Sequence, residues 1–248
     1  MIDAHQHFWD PSTADYPWMT GDFAAVRRRF GPEDLRPLLA ECGVDRTILV
    51  QTRASLEESR EFLAIACRTD FIAGVVAWVD LSASDVAGQL EMLRSSAGGR
   101  RLVGVRHQVH DEADPEWLLR PGLRLIVDHL AKPPLRTGAL GEWAAALAPL
   151  AAYGNVWCKL SGLIAEADWR RWRPDDLTGC VREALAWFGA DRLMFGSDWP
   201  VCLLAGTYAE VLDAARHALG DLPGAAREKI FGANAAAAYR LRPYGRPA

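Results

Sequence analysis

No stretch of the 248-residue chain is apolar for long enough to cross a bilayer. The longest run of note, Phe71 to Val79, falls far short of the roughly 20 residues a spanning helix needs. The N-terminus has neither the basic nor the apolar region of a secretory leader, so none is expected. Basic residues are not in excess: 28 Lys and Arg against 32 Asp and Glu leave a net charge of −4. That balance argues against nucleic acid or a membrane surface as partner. Cysteine is sparse and scattered, at Cys42, Cys67, Cys158, Cys180 and Cys202, with no C-x-x-C pair. An odd number of unpatterned thiols implies reduced, mostly buried cysteines in a cytoplasmic protein, not a disulfide frame or a zinc knuckle. A linker, a charge block and a low-complexity tract are all missing, so residues 1–248 are expected to form a single domain.

What the chain does have is alternation. Strand-like runs at 2–8, 47–51, 71–79, 102–109, 125–128, 156–160 and 192–195 alternate with helical stripes. Leu35, Leu38, Leu39 and Cys42 fall at i, i+3, i+4 and i+7, and Gly43 stops that helix. Ser55 with Glu58 predicts a capping box for the next one. Further stripes run through Val86 to Leu93, Trp143 to Leu150, Leu177 to Phe188, Tyr208 to Leu219 and the alanine-rich 225–239. Such alternation implies a parallel sheet covered by helices. The first strand lacks a glycine-rich phosphate loop, which disfavours a dinucleotide-binding sheet. Polar residues gather where strands end, the active face of a barrel. The expectation is therefore α/β, a TIM-type (β/α)8 barrel. Only seven strands can be counted, because the segment from Val109 to Leu125 holds one short helix at Asp114-Pro115 and little more.

Three of those strand ends carry chemistry. His5 and His7 stand two apart, which on a strand aims both imidazoles to one side. Read alone, the pair could also be an unremarkable surface feature. Leu193 to Pro200 runs from a hydrophobic strand into Gly-Ser-Asp-Trp-Pro and delivers Asp198, which could equally cap a turn. Ile126 to Pro133 delivers His129, which alone could be a structural histidine. Parallel barrel strands bring all four to a common centre. Three imidazoles and a carboxylate could hold zinc with an open position. Alternatively Asp198 takes a proton from water while the histidines and an arginine polarise a carbonyl. Both routes are hydrolysis.

The stretches IDAHQHFWD, VDHLAKP, FGSDWPVCL and EKIFGANAAAAYRL together resemble the amidohydrolase superfamily, in its amidohydrolase-2 branch of sugar-lactone hydrolases of the L-fucono-lactonase type. The resemblance implies a (β/α)8 barrel that opens a sugar-acid lactone, a small L-fuconolactone-like molecule, by water attack on the ring carbonyl. It implies that His5, His7, His129 and Asp198 form the catalytic centre. Arg53, His107, His110, Trp9, Trp18 and Trp199 would shape the substrate pocket. Metal-dependent members carry a bridging lysine or a middle-strand histidine that is not clearly placed here. One divalent ion, zinc first, on His5, His7, His129 and Asp198 is thus an optional expectation beside a metal-independent site. Members also have a strand-helix unit, the fifth, between the stretches around Arg120 and Leu125 of this chain, where this sequence is short. A decarboxylase or amide hydrolase of the same superfamily, or an impaired barrel that only binds its ligand, are the alternatives. Oligomeric state is left open.

Overall fold

Seven β-branched or apolar runs become strands in the computed structural model, which describes residues 1–107 and 124–242. The strands are β1 (Ile2–Gln6), β2 (Arg46–Val50), β3 (Ile72–Ala77), β4 (Leu102–Val105), β5 (Leu125–Val127), β6 (Val156–Leu160) and β7 (Leu193–Phe195). Each falls inside a run expected from the sequence or within a residue of it. The expected short helix at Asp114-Pro115, and His110, lie outside the described residues.

Strands β1 to β4 pair in order as one parallel sheet, and β5 to β7 as a second. The two meet where β7 passes β1, through a parallel bridge between Gln6 and Trp199 and the bonds Asp198 N to His5 O and His7 N to Trp199 O, each 2.8 Å. Among the described residues no ladder joins β4 to β5. The architecture is that of a TIM-type α/β barrel whose wall is continuous at the β7–β1 seam and, among the described residues, carries no ladder between β4 and β5. This is the TIM-type architecture expected from the sequence, with the seven strands counted there; the expected loss of a fifth strand-helix unit falls on residues outside the described ones.

Helices α1 (Pro32–Cys42), α2 (Leu56–Arg68), α3 (Val86–Ser95), α4 (Leu140–Leu147), α5 (Leu163–Glu166), α6 (Pro174–Phe188), α7 (Tyr208–Ala218), α8 (Gly224–Glu228) and α9 (Asn234–Ala238) follow the strands. Pro32 opens α1, where a missing N–H costs nothing, and Gly43 ends it at φ 66°. The alternation of strand side chains splits the apolar residues into two cores. Leu49, Val75, Cys158, Leu160, Leu193 and Phe195 pack outward against helix residues such as Leu35, Leu39, Phe62, Leu63, Leu177 and Val181. Ile2, Ala4, Ile48, Val50, Val76 and Met194 pack together instead with Ala235, Ala238 and Tyr239 at the chain's end. Arg124, just before β5, donates to the carbonyls of Ala237 and Ala238, so α9 closes the end of the barrel where the strands begin. The other end is left to the strand-to-helix loops. Of the five thiols, Cys158, Cys180 and Cys202 are buried, whereas Cys67 is exposed.

Candidate active site

His5 and His7 reach one space because β1 is bulged. Asp3 pairs with Thr47 and Gln6 with Leu49, so three steps along β1 face two along β2. The extra residue reverses the parity of the strand. Ile2 and Ala4 face the inner core before it, and His5 and His7 face the centre after it. Asp3, fully buried, anchors the device from the outer side. Its carboxylate accepts from the backbone N–H of His5 at 3.0 Å and of Ser197 at 2.9 Å, and from the Tyr208 hydroxyl at 2.9 Å. Burial raises the Asp3 pKa, against the lowering effect of these hydrogen bonds.

His129 arrives by a different route. After β5 the chain makes a left-handed turn, with φ between 50° and 57° at His129, Leu130, Ala131 and Lys132. Such backbone costs a side-chain-bearing residue roughly 1–2 kcal/mol each, and it persists where surrounding packing imposes it. Leu130 is fully buried and its carbonyl accepts from Trp143 at 2.6 Å, which pins the turn. Asp198 is also left-handed, at φ 58°. Gly162, just beyond β6, makes room for both. A Cβ there would lie 2.6 Å from His129 Nδ1 and 3.0 Å from Asp198 Oδ2.

The four groups expected from the sequence do converge. Asp198 Oδ1 lies 3.4 Å from His7 Nε2, 3.6 Å from His5 Nε2 and 4.0 Å from His129 Nε2. His5 Nε2 and His7 Nε2 are 3.0 Å apart. Burial acts to raise the Asp198 pKa, but the His129, His7 and His5 imidazoles outweigh it and hold the group as a carboxylate. Burial lowers His129, and burial together with the Lys159 charge lowers His5 further, so both are neutral near pH 7.

Beneath His5 lies a charged group that was visible in the sequence only as a polar strand end. Lys159 is buried, with Nζ 2.8 Å from Asp128 Oδ1 and 3.1 Å from His5 Nδ1. Burial works against its charge, and Asp128, then Tyr239, overcome it, so its pKa is raised. Asp128 is held well below the carboxylate range although burial opposes this, because Lys159, His5 and Arg106 surround it.

The donor set suits a divalent metal in kind, and ligand atoms of His5, His129 and Asp198 all lie within 4.8 Å of one another. Proton placement sets the condition. His7 Nδ1 is 2.8 Å from the Val50 carbonyl, which only accepts, so Nδ1 carries a proton and Nε2 is the bare nitrogen of the neutral ring. In one arrangement Lys159 donates to His5 Nδ1, and His5 Nε2–H donates to His7. In the other, His5 Nδ1–H donates to Asp128 Oδ1 at 3.4 Å, and two bare Nε2 atoms face each other with a cation needed between them. Both are consistent with the residues present.

The expected pocket residues separate into four groups. Arg53 lies past the end of β2 with its guanidinium 5.6 Å over the Tyr16 ring. Trp9 stacks 6.4 Å from His7, and Trp18 meets Trp9 edge-on at 5.5 Å while staying 38% exposed. Trp199, by contrast, is core: it is 1% exposed and packs edge-on to Phe8 and Phe30. His107 is half-buried beyond β4, on the side of Asp80. His110 lies outside the described residues. Sequence reasoning left Asp3, Asp128, Lys159, Ser161 and Gly162 out of the site. Ser161 Oγ is 2.8 Å from His129 Nδ1. Their shared signal is position, since all but Asp3 stand at the ends of β5 and β6.

The profile of the amidohydrolase family (Amidohydro_2) matches residues 2–120 and 118–241. An L-fucono-1,5-lactonase of Burkholderia ambifaria is 37% identical over 289 aligned positions, covering 98% of this chain and 97% of that protein. An L-fucono-1,5-lactonase of Burkholderia multivorans is 39% identical, covering 97% and 96%. The crystal structure of an amidohydrolase from Burkholderia multivorans with bound zinc superposes with a TM-score of 0.88 at 38% identity, over 97% of this chain and 99% of that one. An alignment of 289 positions exceeds the 248 residues here, so the Burkholderia ambifaria protein holds residues without a counterpart in this chain. Among the described residues, no helix is long and apolar enough to cross a membrane.

Proposed function

The chain belongs to the amidohydrolase family, and we propose that it opens a sugar-acid lactone of the L-fucono-1,5-lactone kind by adding water at the ring carbonyl. The reaction places hydroxyl on the carbonyl carbon and a proton on the ring oxygen, leaving the open hydroxy acid. The observation that carries this reading is a buried carboxylate, Asp198, facing three imidazoles within 4.0 Å.

Asp198 takes a proton from the attacking water. His7 Nε2, kept bare by the Val50 carbonyl, stands 3.4 Å away to share that proton. With Lys159 donating to its Nδ1, His5 presents Nε2–H to the charge that develops on the carbonyl oxygen. The proton gathered on Asp198 then goes to the ring oxygen as the C–O bond breaks. Trp9 and Trp18 form one wall of the pocket, and Arg53 offers donors to substrate oxygens. His5, His7, His129 and Asp198 are the residues that would hold a divalent ion. Such an ion supplies Lewis acidity and makes neighbouring water more acidic. Cysteine usage supports a cytoplasmic site of action, and the substrate is a small molecule.

Asp198→Asn keeps the shape and removes the base. We expect kcat for lactone opening, followed by proton release, to fall by about 10²-fold or more, in a protein that still folds with a lower urea midpoint because the three imidazoles lose the carboxylate they favour. An undiminished rate would remove Asp198 from the mechanism.

A further inference from the structure

We propose that Glu58 is a positioning residue that holds Arg53 ready for the lactone's oxygen atoms; this rests on the reading of Arg53 as a substrate contact.

The Ser55–Glu58 pair looks like a capping box, and half of one forms: Ser55 Oγ accepts from Glu58 N at 3.2 Å. The return bond does not. The N–H of Ser55 goes to the Arg53 carbonyl at 2.9 Å, and the Glu58 carboxylate turns the other way. Its Oε2 accepts from the backbone N–H of Thr52 at 2.8 Å and of Arg53 at 2.9 Å. Its Oε1 accepts from the Thr52 hydroxyl and, at 3.4 Å, from Arg53 Nε. Glu58 is 1% exposed, and the cation beside it is Arg53. A buried carboxylate with all its acceptor sites spent on two residues fixes both their backbone and the one side-chain cation that balances it.

The place of Arg53 gives this a purpose. Its backbone lies three residues past Val50, whose carbonyl holds His7, so at most about 10 Å of chain separates Arg53 from the residue that holds His7. Bonding through Nε leaves the Nη fork outside the contact with Glu58, over Tyr16. Tyr16 packs on Trp9, and Trp9 stacks on His7, so the fork stands at the outer end of a continuous aromatic wall leading into the site. A polyhydroxy lactone offers carbonyl, ring and hydroxyl oxygens, all acceptors for a planar guanidinium held at a set angle.

The experiment is a double-mutant cycle read in KM, kcat and urea midpoint with an L-fucono-1,5-lactone-type substrate. Arg53→Lys keeps the counter-charge and removes the fork. Glu58→Gln keeps the shape and removes the charge. Thr52→Val removes one bond to Glu58 and leaves Arg53 in place. We expect each of the first two to raise KM about tenfold with kcat changed less than about twofold, and the double variant to be no worse than either single. Thr52→Val should lower the midpoint and leave KM alone. Glu58→Gln lowering only the midpoint, or the two KM effects multiplying, would overturn the positioning role while Arg53 kept its contact. Unchanged KM in Arg53→Lys would overturn the contact itself, and the proposal with it.

Discussion

Gly162→Ala adds one methyl group at the point where the site is tightest. Two separable costs follow. The backbone there has φ +64°, which an alanine adopts at about 1–2 kcal/mol. The new Cβ also stands 2.6 Å from His129 Nδ1 and 3.0 Å from Asp198 Oδ2, and neither group is the loose end of a flexible chain. His129 is held by Ser161 and by its left-handed turn, and Asp198 by the β7–β1 seam. Overpacking at such a point adds about 1–3 kcal/mol, for a total of about 2–5 kcal/mol. Gly43→Ala is the matched control. It shares the positive φ, at +66°, with nothing within 4 Å of its Cβ. It should therefore show the backbone cost alone, with kcat intact. In Gly162→Ala the methyl displaces His129 or Asp198 by several tenths of an ångström, which approaches the range where misplacement costs up to about 10²-fold in rate. Urea titration of both variants and lactone turnover followed by proton release measure the two costs side by side. If Gly162→Ala matches Gly43→Ala in both stability and rate, the close approach at Gly162 does not position His129 and Asp198.

Acidification should destabilise the protein from about pH 6.5 downward. His5 and His129 have folded pKa values below the unfolded 6.5, so the unfolded chain takes up protons first and stability drops as pH falls. Two such groups give up to about 3 kcal/mol per pH unit, and the depressed Asp128 and Asp198 continue the trend at lower pH. Asp3, whose pKa is raised, has the opposite sign and offsets part of it. Urea midpoints at pH 7.5, 6.5 and 5.5 test this, and a flat profile rejects it. Lys159→Met leaves Asp128 without its nearest cation. The cost should sit at the low end of about 3–5 kcal/mol, since Asp128 is 23% exposed, and kcat should fall as His5 loses its Nδ1 partner; a stable, fully active variant contradicts both expectations. Zinc added to chelator-treated protein should raise stability by about 2.7 kcal/mol at a hundredfold excess over Kd, and His5→Asn should abolish that rise. An immobile midpoint in the parent protein argues for the metal-free arrangement.

Much of this was legible in the sequence, for reasons that can be named. Runs such as Thr47 to Gln51 and Val156 to Leu160 are short and bounded by turn residues, so strand position followed directly. Histidines at i and i+2 share a side in any strand, and barrel topology collects strand ends. What escaped depended on three-dimensional coincidence. The bulge that turns His5 inward depends on how β1 registers against β2, which no single strand encodes. The left-handed turn at His129 contains no glycine to announce it. Trp199 adjoins Asp198, the proposed base, in sequence yet turns into the core. Glu58 matched a capping motif because the spacing was right, while its partners were the two residues behind the cap.

The seam between β7 and β1 has a consequence for how activity is acquired. His5 and Ser197 lie 192 positions apart, and Asp198 N meets the His5 carbonyl only when those distant stretches dock. During synthesis the two histidines emerge long before their aspartate exists, so every partly made chain is an inert one. Contacts this remote form late, because loop closure must be met before they give anything back. On dilution from urea, helical signal should therefore return ahead of turnover, and the regained rate of lactone opening would time the closing of the molecule's own ends.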